Sequence, residues 1–260
     1  MSNSITKYPI ILVHGIMVKD FIFFKAFGRI EKYLKKSGYT VYTAITDGFG
    51  TVENNATQLK QFIELIMTEH NTDKVNIIAH SKGGLDSKYM IENLDMTSHI
   101  ASLTTLCTPF KGSPMASYLL KCPHRLLKFA AFWTNLWYRI LNDKHPDSLT
   151  VCEQLQLHPT VELTELPQSI YCQSYSATMN RRRDDILMLV PFSLLRRYAK
   201  EASDGLVTLE SSKYGVYRGD CLPESTSHSQ IIGFASNKKK RHRIYSFYLN
   251  LAEELAKMGF

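Results

Sequence analysis

The sequence predicts an α/β fold, a mostly parallel central sheet flanked by helices. Three observations carry this: strand candidates alternate with helical segments, the first strand candidate is apolar on both faces, and one long helical stretch interrupts the alternation. Pro9 to Val13 is a continuous apolar run ending at His14-Gly15, as expected of a strand buried on both faces. A helix is expected from about Lys25 to Lys36, closed by Gly38, and then a strand over Tyr39 to Ile45. Asn55 to Glu69 reads as a helix with Leu59, Phe62, Ile63, Ile66 and Met67 on one face. Val75 to Ala79 is the next strand, Leu85 to Asn93 a helix, Leu103 to Cys107 and Ile170 to Ala177 further strands, and Tyr245 to Met258 a closing helix.

The interruption covers about 114–167 and reads as an insertion. Within it, Leu126 to Leu141 carries Phe129, Phe132, Trp133, Trp137 and Tyr138, has only Lys128 and Arg139 charged, and is apolar nearly all round. The stretch is shorter than the ~20 residues needed to cross a bilayer. A helix buried as a cap is the first expectation; a mobile lid over an acyl-binding cleft and a helix lying on a membrane surface are the alternatives.

A chain of 260 residues with 44% hydrophobic and 21% charged side chains can bury one large core, so a single domain over 1–260 is expected, with no internal repeat. Met1 to Pro9 holds no apolar run of signal-peptide length behind a basic start, which leads to the expectation of a cytoplasmic protein. Five cysteines, Cys107, Cys122, Cys152, Cys172 and Cys221, are an odd number without metal-ligand spacing and fit reduced thiols. The formal charge of +7 is concentrated in Arg181 to Arg183 and Lys238 to Arg243, each beside a predicted helix. Solvated faces are expected there, with a membrane or partner contact as the alternative. Neither run is interleaved with aromatic residues as in a nucleic-acid module, so no nucleic-acid partner is expected.

The chemistry centres on Ala79-His80-Ser81-Lys82-Gly83, which lies between a strand and a helix and matches the nucleophile-elbow pattern Gly-x-Ser-x-Gly apart from Ala79. The turn is so tight that only small residues fit two before and two after the serine, and alanine meets that need nearly as well as glycine. A serine nucleophile needs a base, a group to orient the base, and amide donors for the oxyanion. Chain order places the base well downstream of Ser81, which leaves His228 and His242. His242 sits inside a basic run, whereas His228 lies in the small polar loop Ser225 to Ser229, so His228 is the candidate. Asp204, in Ala202-Ser203-Asp204-Gly205-Leu206-Val207, is the candidate acid. The backbone N–H groups of Ile16 and Lys82 are the candidate oxyanion donors. His14 and His80 are expected to be structural, and the Lys82 ammonium to point into solvent, with an influence on anionic groups near the site as the alternative.

With these residues in place, the chain resembles bacterial triacylglycerol lipases of the true-lipase family typified by Pseudomonas, Burkholderia and Proteus enzymes. The resemblance rests on residues 8–15, on Lys74 to Leu85, on Thr108 to Ser113 and on Ser203 to Val207. It implies an α/β-hydrolase fold with a helical cap or lid, and a serine hydrolase cleaving carboxylic esters of lipid type through Ser81, His228 and Asp204. Lipid or small esters are the implied substrates, with peripheral contact to a lipid interface. A thioesterase, phospholipase or acyltransferase could run on the same triad, and a non-catalytic membrane- or partner-binding protein on a hydrolase scaffold is the alternative from another class. These lipases commonly bind a structural calcium through an aspartate two residues after the histidine and another about twenty before the acid. Gln230 stands at the first position and Asp184 or Asp185 near the second, so no cofactor is expected and calcium is disfavoured.

Overall fold

The computed structural model describes residues 5–16, 26–158, 163–198, 200–235 and 237–260. Its six strands, β1 (Ile10–Val13), β2 (Val41–Thr43), β3 (Val75–His80), β4 (Ile100–Leu106), β5 (Tyr171–Ser176) and β6 (Val216–Asp220), form one sheet in the order β2-β1-β3-β4-β5-β6. Every neighbouring pair is parallel. The helices are α1 (Ile30–Lys36), α2 (Val52–His70), α3 (Lys82–Asn93), α4 (Pro114–Leu120), α5 (His124–Ile140), α6 (Ser148–Gln154), α7 (Leu189–Tyr198), α8 (Leu209–Ser212) and α9 (Lys238–Lys257). Each predicted strand and helix lies on one of these elements, but the first helix starts only at Ile30, after a turn over 26–29, and the closing helix starts at Lys238, seven residues before the expected Tyr245. Lys25, the expected start of the first helix, falls outside the described residues.

The alternation of side chains along each strand divides the core. Ile10, Leu12 and Ile78 face one layer, where Ile30 and Leu34 of α1 and Ile244, Tyr248 and Leu251 of α9 cover the sheet. Ile11, Val13, Ile77 and Ala79 face the other, against Leu59 and Ile63 of α2 and Met90 and Ile91 of α3. Helices therefore cover both faces, and the buried polar side chains of the central strands pair with one another: Ser102 donates to Asn76 at 2.6 Å and Gln173 to Thr104 at 3.0 Å. Three elements, β6, α7 and the four-residue α8, were not expected from the sequence. Strand β6 alternates exposed and half-buried residues at the sheet edge, and Val216-Tyr217-Arg218-Gly219-Asp220 has no apolar run. Helix α7 follows the first basic run and buries only Phe192 and Leu195 deeply among its described side chains.

Strand order also locates the functional edge. Chain connections leave β1 towards β2 on one side and reach β3 on the other, so the crevice between the C-terminal ends of β1 and β3 is a topological switch point. Val13 pairs with Ala79 at that end, which brings His14-Gly15 alongside His80-Ser81.

Between β4 and β5 the chain forms α4, α5 and α6. The expectation that α5 is buried is corrected. Phe129, Phe132, Trp133 and Trp137 are 54–63% exposed, and Tyr138 is its one buried residue. A single helix over the site has a near side and a far side, and no further layer packs on the far side among the described residues. Its C-terminal end is anchored: Tyr138 packs edge-on against Phe49 at 4.6 Å between ring centres, and Asp47 accepts backbone N–H bonds from Lys144 and His145 at 2.9 and 2.8 Å. No helix among the described residues is long and apolar enough to cross a membrane.

Lys82 is also a correction. Its ammonium does not reach solvent; it is buried at the base of α3 and pairs with Asp86 at 2.6 Å, both side chains being 1% exposed. Asn55 donates to the other Asp86 oxygen at 3.2 Å. Burial raises the Asp86 carboxyl to about 6, against the attraction of Lys82. Lys82→Met alone is expected to destabilise the fold by about 3–5 kcal/mol, because it strands a buried carboxylate, whereas Lys82→Met with Asp86→Leu costs far less. A urea-denaturation double-mutant cycle measures the difference. Since the folded Asp86 holds its proton more tightly than the unfolded chain, its contribution to stability is full below about 3.8 and is lost as pH rises through about 6. The double variant should gain on the wild type across that window.

Candidate active site

Ser81 is the hinge between β3 and α3, with φ 54° and ψ −133°, a conformation a serine adopts only when its surroundings enforce it. Its N–H donates to the Leu106 carbonyl at 3.0 Å, so the adjacent strand β4 clamps the turn. The neighbours must be small. A Cβ on Gly15 would lie 2.6 Å from the Ser81 Cβ, and one on Gly83 would lie 2.5 Å from the His14 carbonyl oxygen. Ser81 precedes the first turn of α3, whose unpaired N–H groups and dipole favour negative charge.

The other candidates come from loops at the same edge of the sheet. Asp204 follows β5, and its Oδ1 accepts from the N–H groups of Leu206 and Val207 at 2.9 and 2.8 Å. Its Oδ2 pairs with His228 Nδ1 at 2.6 Å. The His228 N–H also donates to the Asp204 carbonyl at 2.9 Å, so backbone and side chain together lock the ring to this turn. With Nδ1 donating to a carboxylate, Nε2 is the nitrogen left for other chemistry. Ser81, His228 and Ile16 all line one pocket of about 300 Å3. Its walls are otherwise largely apolar, from Leu127, Ala130 and Ala131 of α5, Val151 and Leu155 near α6, and Leu206 and Val207 beside the acid. Helix α5 is thus two-faced: small residues roof the pocket and large aromatic ones face out. His242 is exposed on α9 and does not line this pocket.

His14 and His80 are both buried. His14 bonds the Gly15 carbonyl at 2.9 Å and Thr46 at 3.2 Å, bracing the turn after β1. The His80 ring packs against that of His228, centre to centre 4.4 Å, and neither ring nitrogen has a partner of hydrogen-bond geometry. Burial, then the neighbouring His228, hold His80 well below the usual imidazole range, so it is a neutral wall.

Among the described residues, the group with metal-ligand types close together is Cys107, Asp204 and His228, with ligand atoms within 4.8 Å of one another. Asp204 and His228 spend those atoms on each other. A hydrogen bond with Cys221, then burial, push the Cys107 thiol well above its usual range, so it offers no thiolate. All five cysteines are free.

One side chain near the site had no role in the sequence reading beyond a calcium position. Asp185 is buried, and its Oδ2 accepts from the hydroxyls of Ser227 and Ser229, the residues on either side of His228, while its Oδ1 accepts from the Leu187 N–H at 2.9 Å. Asp184 accepts from the Ser225 hydroxyl and the Arg181 N–H. The Gln230 amide donates to the Asp184 carbonyl at 2.7 Å. These donors take up the oxygens a calcium ion would need, and Gln230 points an N–H into the cluster, so the residues do not fit that ion. The run Ser-x-Ser around His228 was the available signal: alternate hydroxyls flanking a loop histidine need an acceptor.

Comparison with known proteins speaks to the family and the fold. A family model described as palmitoyl protein thioesterase matches residues 9–145. Triacylglycerol lipase 2 of Saccharomyces cerevisiae is 28% identical over 89% of this chain and 73% of its own length. The triacylglycerol lipase of Burkholderia plantarii is 32% identical over 44% of this chain, and the match spans 33% of that protein. Among solved structures, Staphylococcus hyicus lipase superposes with a TM-score of 0.74 at 14% identity, covering 99% of this chain and 97% of that one. A metagenomic carboxyl esterase gives 0.68 at 17% identity, covering 100% and 76%. The resemblance to bacterial triacylglycerol lipases is thus borne out by relatives and neighbours alike. With its family model matching over half of the sequence, this chain belongs to the palmitoyl protein thioesterase family, and it carries the α/β-hydrolase fold.

Proposed function

We propose that this chain hydrolyses carboxylic esters of lipid type with Ser81 as nucleophile. The observation that carries the reading is the hydrogen-bonded Asp204–His228 pair and the constrained Ser81 opening onto one apolar pocket. His228 Nε2 takes the Ser81 proton as Oγ attacks the ester carbonyl, and Asp204 orients the ring and stabilises the imidazolium. The N–H groups of Ile16 and Lys82 receive the oxyanion. His228 then protonates the leaving alcohol, and water activated by the same ring releases the acid from the acyl-enzyme. The yeast and bacterial relatives named as triacylglycerol lipases support a lipid ester as substrate. A thioester is the second reading, favoured by the description of the matching family model. Paired oxygen and thioesters of one long acyl chain discriminate the two.

The exposed aromatic face of α5 supports peripheral contact with a lipid interface, with α5 as a lid whose Leu127, Ala130 and Ala131 cover the acyl-binding pocket. The serine network around Asp185 supports catalysis without a bound ion.

Three outcomes are expected. Ser81→Ala lowers kcat on a p-nitrophenyl ester by on the order of a millionfold with the thermal midpoint retained; full activity in that variant would sink the assignment. Asp185→Ala lowers kcat by about tenfold to a hundredfold at unchanged KM, because the loop no longer holds His228 in line, and a chelator leaves the wild type unaffected. Phe129→Ser with Trp133→Ser leaves hydrolysis of a soluble short-chain ester unchanged and lowers hydrolysis of emulsified long-chain ester severalfold, measured as initial rates with and without the interface.

A further inference from the structure

Two basic runs that are far apart in sequence meet at one loop. The Lys240 ammonium donates to the Ser225 carbonyl and Arg243 pairs with Glu224, while the Ser225 hydroxyl donates to Asp184, next to Arg181 to Arg183. Across the turn, α7 contributes Arg196 and Arg197. These five arginines, with Ser193 and Phe192, line a groove of about 400 Å3. Among the described residues, none of the five guanidinium groups forms a salt bridge with a carboxylate. Like charges gathered in a concave site repel one another unless an anion shares it, and guanidinium forks match the oxygens of a phosphate.

The groove has an apolar rim. Ile186 and Leu187, on the segment leading from the arginine turn into α7, and Val190, in the first turn of α7, are 85%, 64% and 61% exposed. Helix α7 packs against α4, which lines the pocket over Ser81. Both basic segments follow the C-terminal ends of β5 and β6, so they share the edge of the sheet that carries the active site. Arginines without a salt bridge beside exposed aliphatic side chains suit a ligand with a phosphate head and hydrocarbon next to it, and a free phosphate gives the aliphatic residues nothing to bury against.

We propose that this groove binds the phosphate of an anionic phospholipid headgroup and holds the pocket edge of the protein on an anionic bilayer. The inference goes beyond ester hydrolysis and does not rest on it, since binding is read without turnover. The test is sedimentation of the full chain with phosphatidylcholine vesicles, with and without phosphatidylglycerol. Binding to the anionic vesicles is expected to be tighter by about tenfold or more and to weaken with salt. Arg196→Glu with Arg197→Glu should abolish that preference while hydrolysis of a soluble short-chain ester is unchanged, which shows the fold intact. Equal binding to both vesicles, or a preference that survives the double substitution, would overturn the proposal. Displacement by millimolar inorganic phosphate, or equal affinity for a single-stranded oligonucleotide, would also overturn it, in favour of a free phosphate or a nucleic acid.

Discussion

The close approach of two neighbouring strand ends underlies the rest of the structure. Because β1 and β3 lie side by side in parallel, the turns leaving them share one small space, and Gly15 and Gly83 leave no room there for a side chain. Ser81 occupies the middle of it in a conformation that costs of the order of 1–3 kcal/mol for a non-glycine residue. The surrounding sheet makes this tolerable: Val75 to Ala79 are fully buried, and β4 supplies the carbonyl that holds the Ser81 N–H. The same crowding puts the hydroxyl, the start of α3 and the turn after β1 around one point, where charge developing on a substrate oxygen would meet backbone donors. The buried Lys82–Asp86 pair lies on the first turns of that helix, so α3 starts on a paired, rigid base.

His228 arrives on the loop after β6 and is held by two carboxylates with separate tasks. Asp204 bonds the imidazole itself, and Asp185 bonds the hydroxyls on either side of it. A loop this close to a sheet edge would otherwise leave Ser227 and Ser229 as buried hydroxyls without acceptors, an arrangement that costs free energy. The polar network therefore stabilises the loop and fixes the ring in one step. It also reaches outward, because Asp184, the neighbour of Asp185, ties the same loop to the arginine turn. The surface that carries the basic groove and the interior that carries His228 are joined through two adjacent residues.

Above the site, α5 separates two environments. Its small residues let a pocket form beneath it, and Phe129, Phe132, Trp133 and Trp137 stay more than half exposed. A helix with large aromatic groups on the inside would fill the pocket. A helix with polar groups on the outside would lose its affinity for apolar surroundings. Under the proposed function this distribution suits a substrate delivered from a hydrocarbon phase, and the anchored C-terminal end fixes where that helix stands over Ser81.

Much of this was legible in the sequence, and the reason is locality. The strands β1, β3 and β4 are short apolar runs bounded by turn residues, and the elbow is set by small residues within two positions of Ser81. Chain order then narrowed the histidines to His228 and His242, and the small polar loop around His228 and the Asp-Gly turn at Asp204 singled out those two residues. What the tertiary structure decided were matters of partnership across the chain. Local pattern could not say that the Lys82 ammonium turns inward to Asp86, since a lysine on a helix reads as solvated until its neighbours are known. Strand β6 had no apolar run because an edge strand needs none. The aromatic stretch read as buried because composition reports how apolar a helix is, and only packing decides which of its faces is covered. Nor could two basic runs, separated by more than fifty residues in the chain, be seen to meet at Ser225; that follows from parallel strands delivering their following loops to one edge.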